Sequence, residues 1–386
     1  MNLVLFFSYG ASLQYWHDTG LLEREIKLYK KLVKKGVHIT FLTYGDENDL
    51  KFSSQLGDIR ILPVYSKTYR PKNRYLAFLH SLFLPWILRK NLTGADVYKT
   101  NQMSGSWVAF IAKLLYRKKL VLRCGYELYR FSCRQRVSYF KQGAIYLLEM
   151  IAYRLADIIF ITADDEKDYI TKKFYISKQS INIIPNFVET TTFNPKANKN
   201  QSNKNVLFIG RLSAQKNILS LIDALRETDI QLDIVGNGEL RKIITEYASS
   251  QRVSLKFFGN IPNDELPDLI NKYEIFVLPS LYEGNPKVLL EAMSCGLAVI
   301  GTKVSGIQNI IQHGVNGLLC ETSSNSIKHA IQRLIADKNL KRELGFQARE
   351  YIIKNNELDL IASKEYVNYL ELLSQQKDSS TKYEKS

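Results

Sequence analysis

Short apolar runs alternate along the chain with longer stretches whose apolar positions recur every three or four residues. Residues 3–7 form a continuous apolar run, the mark of a short strand buried on both faces. Residues 20–35 carry Leu21, Ile26, Leu28, Leu32 and Val33 at helical spacing, and Gly36 follows as a helix stop. Strand-like runs return at 37–43, 120–123 and 158–162. The pattern restarts near residue 205. Strands are expected at 206–209, 232–235, 255–258, 275–278 and 298–301, with helices at 218–226 and 240–248. Strand, helix, strand at this spacing predicts parallel βαβ units. The polar stretch 194–205, rich in Asn, Lys, Ser and Pro, reads as a linker. The expected fold is α/β, with two doubly wound Rossmann-like domains facing each other across a cleft. The expected boundaries are a first domain at 1–187, a linker at 188–204, a second domain at 205–360, and a C-terminal helix with a polar tail at 361–386. The tail beyond Lys377 is expected to fray.

Neither apolar run reads as a membrane span. Residues 1–10 lack the basic start of a signal peptide. Residues 77–88 are interrupted by His80, Ser81 and Pro85, well short of the ~20 apolar residues a spanning helix needs.

Charge sharpens the picture. The 386 residues carry Lys+Arg 53 against Asp+Glu 38, a formal net charge of +15. Residues 1–190 hold +13 of this and residues 51–150 alone hold +14, whereas 191–386 hold +2. Such asymmetry points the first half at a polyanion or an anionic membrane. Four Cys without a C-x-x-C pair exclude a disulfide scaffold and a zinc ribbon, and they fit a reducing compartment.

Two segments can carry chemistry. Gly210-Arg211-Leu212-Ser213-Ala214-Gln215-Lys216 follows a strand and precedes a helix. Gly210 permits a tight turn, and Arg211 and Lys216 set two cations at a helix start, a good place for a diphosphate. Alternatively, they are two surface bases beside a turn. The second segment runs from Glu283 through Gly284, Asn285, Pro286, Lys287 and Val288 to Glu291. Gly284 and Asn285 admit unusual backbone geometry, and Pro286 suits a first helical turn. Two carboxylates near a helix start can accept hydrogen bonds from sugar hydroxyls. Otherwise Glu283 is a cap and Glu291 a helix-surface residue, though its neighbours Val288, Leu289, Leu290, Ala292 and Met293 are apolar.

Together these segments resemble the retaining nucleotide-sugar glycosyltransferases of GT-B fold, family 4, group 1. The likeness runs over 183–320. It takes in Ile184-Pro185-Asn186, the Val235-Gly236-Asn237-Gly238 turn and Gly314-Val315-Asn316-Gly317. The resemblance implies that Arg211 and Lys216 hold the donor diphosphate and stabilise the leaving group. It implies that Glu283 lies at the transferred sugar and that Glu291 binds the ribose. Backbone at Gly210, Gly284, Asn285, Pro286, Lys287 and Val288 would approach sugar or phosphate. The turn containing Ile261 would meet the base, and Gly10 would close on the phosphates from the first domain. No D-x-D occurs in the chain. Transfer is therefore expected to need no metal or other cofactor, with the two cations acting in its place.

Family members carry a His near the donor sugar, where this chain has Arg123-Cys124-Gly125-Tyr126-Glu127. Tyr126 and Glu127, with His17 and Asp18 in the loop after the first strand, are the acceptor-side candidates. Residues 67–90 mix six Lys and Arg with Tyr69, Tyr75, Phe78, Phe83 and Trp86, and Lys113, Arg117, Lys118 and Lys119 form a second basic cluster. This mixture suits an anionic membrane surface; a solvated basic face over buried aromatics is the plainer account. The expected partners are a nucleotide-sugar donor, a glycan or lipid-linked acceptor and the cytoplasmic face of a membrane. Competing readings are a sugar-nucleotide epimerase or phosphorylase of the same fold, a sugar-binding protein without activity, and a basic nucleic-acid-binding protein. The last lacks any zinc, helix-turn-helix or RNA-binding signature, so no nucleic-acid partner is expected.

Overall fold

In a computed structural model of the protein, residues 1–135, 137–196 and 205–383 are described, with side chains to residue 375. The chain divides into two units, one of residues 1–185 with 361–386, the other of residues 186–360.

In the first unit seven strands form one parallel sheet. They are β1 (Asn2–Phe6), β2 (His38–Thr43), β3 (Arg60–Pro63), β4 (Val97–Thr100), β5 (Lys119–Arg123), β6 (Ile158–Ile161) and β7 (Ile181–Ile183), in the order β3-β2-β1-β4-β5-β6-β7. The register sets Leu3 beside both Ile39 and Val97. β1 and β6 are nearly continuous apolar runs, as expected where helices cover both faces of a parallel sheet, whereas β2, β4 and β5 carry polar residues among their apolar ones. The helix Leu22–Lys34 ends where expected, with Gly36 at φ +85° just beyond it.

The second unit has six parallel strands, β8 (Val206–Ile209), β9 (Leu232–Val235), β10 (Leu255–Gly259), β11 (Ile275–Leu278), β12 (Ala298–Thr302) and β13 (Leu318–Cys320), in the order β10-β9-β8-β11-β12-β13. Ile275 pairs with Val206 where the chain reverses its direction of winding. That reversal between β8 and β11 is the switch point at which open α/β sheets place ligands.

Three expectations need correction. His17 and Asp18 lie on a short helix, Leu13–Asp18, and not in a loop; Ser12 caps it by accepting from the Tyr15 N–H at 3.0 Å. Residues 188–196 pack on the second unit and do not form a free linker. Val188 and Phe193 join its core, the Val188 N–H donates to Asn356 O at 2.8 Å, and the Lys196 N–H donates to Asn271 Oδ1 at 2.9 Å. The rest of the expected linker, 197–204, lies outside the described residues. The last helix, Leu358–Tyr383, runs through most of the expected fraying tail, because the chain there holds no Gly or Pro to stop it. Residues 384–386 lie outside the described residues. Among the described residues, no helix is long and apolar enough to cross a membrane.

Candidate active site

The loops after the central strands of the second unit are stitched edge to edge. The Gly210 N–H donates to Val235 O at 2.9 Å, Leu212 N–H to Asn237 O at 3.0 Å, and Gly236 N–H to Gly259 O at 2.7 Å. The fit depends on bare backbone. A Cβ on Gly236 would lie 2.1 Å from Gly210 O, and one on Gly238 would lie 2.3 Å from Leu212 O. Gly236 and Gly238 therefore hold the turns together.

Across the switch point, the turn after β8 is tied to the loop after β11. Gln215 Nε2 donates to Tyr282 O at 2.8 Å, and the Leu281 N–H returns to Gln215 O at 2.8 Å. These bonds bring Lys216 and Glu283 together, with Lys216 Nζ donating to Glu283 Oε1. Ser280 Oγ donates to the same oxygen at 2.6 Å, and the Ser280 carbonyl accepts from Thr302 Oγ1 at 2.5 Å. Glu283 is buried and Lys216 half-buried. The pair is thus oriented by β12 as well as by its own loops. Arg211, one residue beyond Gly210, is exposed.

Gly284 lies on the backbone of Gly306, where a Cβ would come 1.8 Å from Gly284 O. Asn285 is buried, and its carbonyl accepts from Asn186 Nδ2 at 2.7 Å; the Asn186 carbonyl in turn accepts from Asn356 Nδ2 at 2.8 Å. The Asn285 Oδ1 atom is buried without a hydrogen-bond partner. Pro286 precedes the helix Lys287–Ser294. Lys287 sits over the Phe187 ring at 5.1 Å, and Val288 packs against the core. Glu291 is 2% exposed and accepts from Asn263 Nδ2 at 3.2 Å, so it is no helix-surface carboxylate. Ile261 is partly buried on the same core, two residues before Asn263.

In the first unit, Gly10 follows β1 at φ +80° in open space. His17 is exposed with its ring 5.5 Å from Phe52, and Asp18 accepts from Gln14 Nε2 at 2.6 Å. Tyr126 and Glu127 follow β5, two strands away from β1 in the sheet. Tyr126 is exposed, its ring 5.2 Å from Phe131. Glu127 is buried, its carboxylate 3.4 Å from Arg130. Burial raises its pKa above the usual carboxylate range, against the pull of that guanidinium.

Sequence reasoning missed the residues that support this arrangement. Glu149 accepts from the N–H groups of Leu128 at 2.7 Å and Tyr129 at 3.4 Å, capping the helix that Glu127 precedes. Glu166 accepts from the Thr162 N–H at 2.7 Å and hydroxyl at 2.6 Å. Ser280, Asn263 and Gly306 act in the same supporting way in the second unit. Glu149, Asn263 and Gly306 reach their partners only through the fold, so no spacing rule points to them; Glu166 and Ser280 bond four and three residues away, so only local spacing could have hinted at them. Among the described residues, no group of three or more His, Cys, Asp or Glu is arranged to hold a metal ion.

Two family models match the chain. "Glycosyl transferases group 1" covers residues 189–351, and "Glycosyltransferase Family 4" covers residues 26–192. An uncharacterized glycosyltransferase of Methanocaldococcus jannaschii is 34% identical over 38% of this chain and 42% of its own length. The UDP-Gal:alpha-D-GlcNAc-diphosphoundecaprenol alpha-1,3-galactosyltransferase of Escherichia coli is 28% identical over 50% of this chain and 55% of its own length. The chain thus spans about half the length of these curated relatives. Among solved structures, the sucrose-phosphate synthase of Thermosynechococcus elongatus superposes with a TM-score of 0.79 at 22% identity, covering 97% of this chain and 100% of that one. Anabaena HepE in complex with UDP gives 0.77 at 18% identity, covering 96% and 100%. These identities speak to the fold alone, and the fold is GT-B, two Rossmann-like α/β domains. With its parallel sheets, its glycine-stitched turns and the two family matches that between them span residues 26–351, the chain belongs to the GT-B glycosyltransferases of family 4, group 1.

Proposed function

We propose that the protein transfers a sugar, with retention, from a UDP- or GDP-linked donor to a glycan or lipid-linked acceptor in cell-surface polysaccharide or glycolipid synthesis. The observation that carries this reading is the Lys216–Glu283 pair at the switch point of the second unit. As the bond from the anomeric carbon to the diphosphate oxygen breaks, negative charge grows on the diphosphate. Lys216 and Arg211 are the cations that stabilise it. Glu283 lies beside the transferred sugar, and Glu291, oriented by Asn263, takes the ribose hydroxyls. The start of the helix Lys287–Ser294 faces the anionic part of the donor. Tyr126, Glu127, His17 and Asp18 belong to the acceptor side.

Support for a lipid-linked acceptor comes from relatives whose names specify diphosphoundecaprenol-linked substrates, in Escherichia coli and Campylobacter jejuni. Support for a nucleotide donor comes from the HepE complexes with UDP and UDP-glucose. The absence of D-x-D from the sequence supports transfer without a metal. The enzyme works, in this reading, peripherally at the cytoplasmic face of an anionic membrane.

A thermal-shift screen of UDP- and GDP-sugars tests the donor site, followed by Lys216→Ala and Glu291→Ala on the stabilising compound. Both variants should lose the shift, and unchanged binding in both rejects the site. Activity abolished by EDTA and restored by Mg²⁺ or Mn²⁺ rejects metal-free transfer.

A further inference from the structure

The helix Arg74–Ile87 is built the wrong way round for a soluble surface. Ser81, Leu84 and Pro85 are its buried residues. Its outer stripe is Tyr75, Leu76, Leu79, Phe83, Trp86 and Ile87, all exposed, with Tyr75 at 66%, Phe83 at 61% and Trp86 at 52%. These positions recur at three- and four-residue spacing, so they share one face. The face is held rigidly from behind. Trp107 Nε1 donates to Ser81 Oγ at 2.9 Å, and the Tyr116 hydroxyl donates to Pro85 O at 2.8 Å. Both come from the neighbouring helix Ser106–Tyr116, which itself exposes Leu114 and Leu115. A contiguous apolar surface of this kind marks an interaction site.

The charges around it select the occupant. Residues 59–95 contain seven Lys and Arg and no Asp or Glu. Cations stand at both ends of the helix, with Arg74 at its start and Arg89 and Lys90 just past its end, all exposed. Arg74 lies over the Tyr75 ring at 4.8 Å and donates to its hydroxyl at 2.8 Å. A second copy of this chain would bring like charges together around the same patch. An anionic bilayer meets both features at once, apolar side chains entering the acyl boundary while the cations meet lipid headgroups.

We propose that the outer face of helix Arg74–Ile87, continued by Leu114 and Leu115, inserts into an anionic lipid surface and lies in its plane. This rests on the membrane reading above and adds to it that apolar insertion, and not charge alone, holds the protein there. Fourteen residues give a helix of about 21 Å, too short to span the ~30 Å hydrocarbon core. The helix therefore lies on the membrane and does not cross it.

The test is flotation of the full chain with phosphatidylcholine vesicles, with and without phosphatidylglycerol, for the parent, Phe83→Glu/Trp86→Glu, and Phe346→Glu. Phe346 is a control of equal exposure on the second unit. The parent and Phe346→Glu should float with phosphatidylglycerol vesicles, and Trp86 emission should shift to the blue on binding. The double variant should lose binding at least about tenfold, with its melting temperature unchanged. Equal flotation of the double variant overturns the proposed face and leaves the membrane reading standing. A parent that floats with neither vesicle overturns both. A soluble dimer that the double variant dissolves gives the face to a second copy and overturns the lipid assignment.

Discussion

Lys99 on β4 and Glu365 on the last helix, 266 residues apart in sequence, form a buried ion pair in the first unit, Nζ to Oε2 at 2.6 Å with both side chains 2% exposed. The Tyr369 hydroxyl donates to the same Oε2 at 2.6 Å, and the ammonium lies 5.0 Å from the centre of the Tyr29 ring. This cluster makes the C-terminal helix part of the first unit although the second unit separates them in sequence. Burial lowers the Lys99 pKa, and the Glu365 carboxylate opposes that shift.

Removing one partner leaves a buried charge alone. Lys99→Met should cost ~3–5 kcal/mol in urea denaturation, and Lys99→Met with Glu365→Leu should recover most of the loss. A single variant as stable as the parent would refute the anchoring role.

The Lys216–Glu283 pair makes a kinetic prediction. Lys216→Ala should lower kcat ~10²- to 10³-fold, the usual effect of removing one group that stabilises leaving-group charge. Ser280→Ala, which removes only the hydroxyl that orients Glu283, should lower kcat less and leave nucleotide diphosphate affinity unchanged. Equal losses in both variants would contradict this division of roles.

Gly306→Ala sets a methyl group on the backbone carbonyl of Gly284. The loop bearing Glu283 must then move, so donor binding should be lost even where the fold survives. Gly143→Ala is the counterpart: the position is helical and nothing lies within 4 Å of the new Cβ. It should stabilise by ~0.5–1 kcal/mol. Calorimetric titration of both variants with the donor nucleotide checks the contrast.

Glu149 and Glu166 give a pH prediction. Burial pushes each carboxyl up to about 8 from a usual 4.5. The folded state then holds protons that the unfolded chain has released. The stability these groups contribute is fully present below pH 4.5 and is lost as pH rises through about 8. Melting temperature should therefore fall across that window. Glu149→Gln with Glu166→Gln, which keeps carbonyl acceptors for Leu128 and Thr162, should flatten the slope; an unaltered slope would count against the assignment.

Five of the second unit's strands could be read from the chain because each is a short, mainly apolar run between turn residues, β8 and β11 unbroken; β13, only three residues long, could not. β4 could not, since Lys99 interrupts its pattern and only the distant Glu365 makes that residue tolerable in a core. His17 and Asp18 read as loop because six residues of weak apolar period do not announce a helix, whereas the Ser12 cap does. Lys216 and the pair Glu283 and Glu291 could be singled out because each sits in a short local motif, but that Lys216 meets Glu283, 67 residues on, could not.

By itself, then, the sequence determined the α/β class, its two parallel-sheet domains and the family, because these follow from local periodicity and short motifs. Only the tertiary structure decided which groups meet. It paired Lys216 with Glu283 and Lys99 with Glu365, set Asn263 on Glu291 and Gly306 beneath Gly284, and turned the apolar face of residues 74–87 outward. Helical period shows that apolar residues share a side, but which side faces water is settled by what packs against the other one.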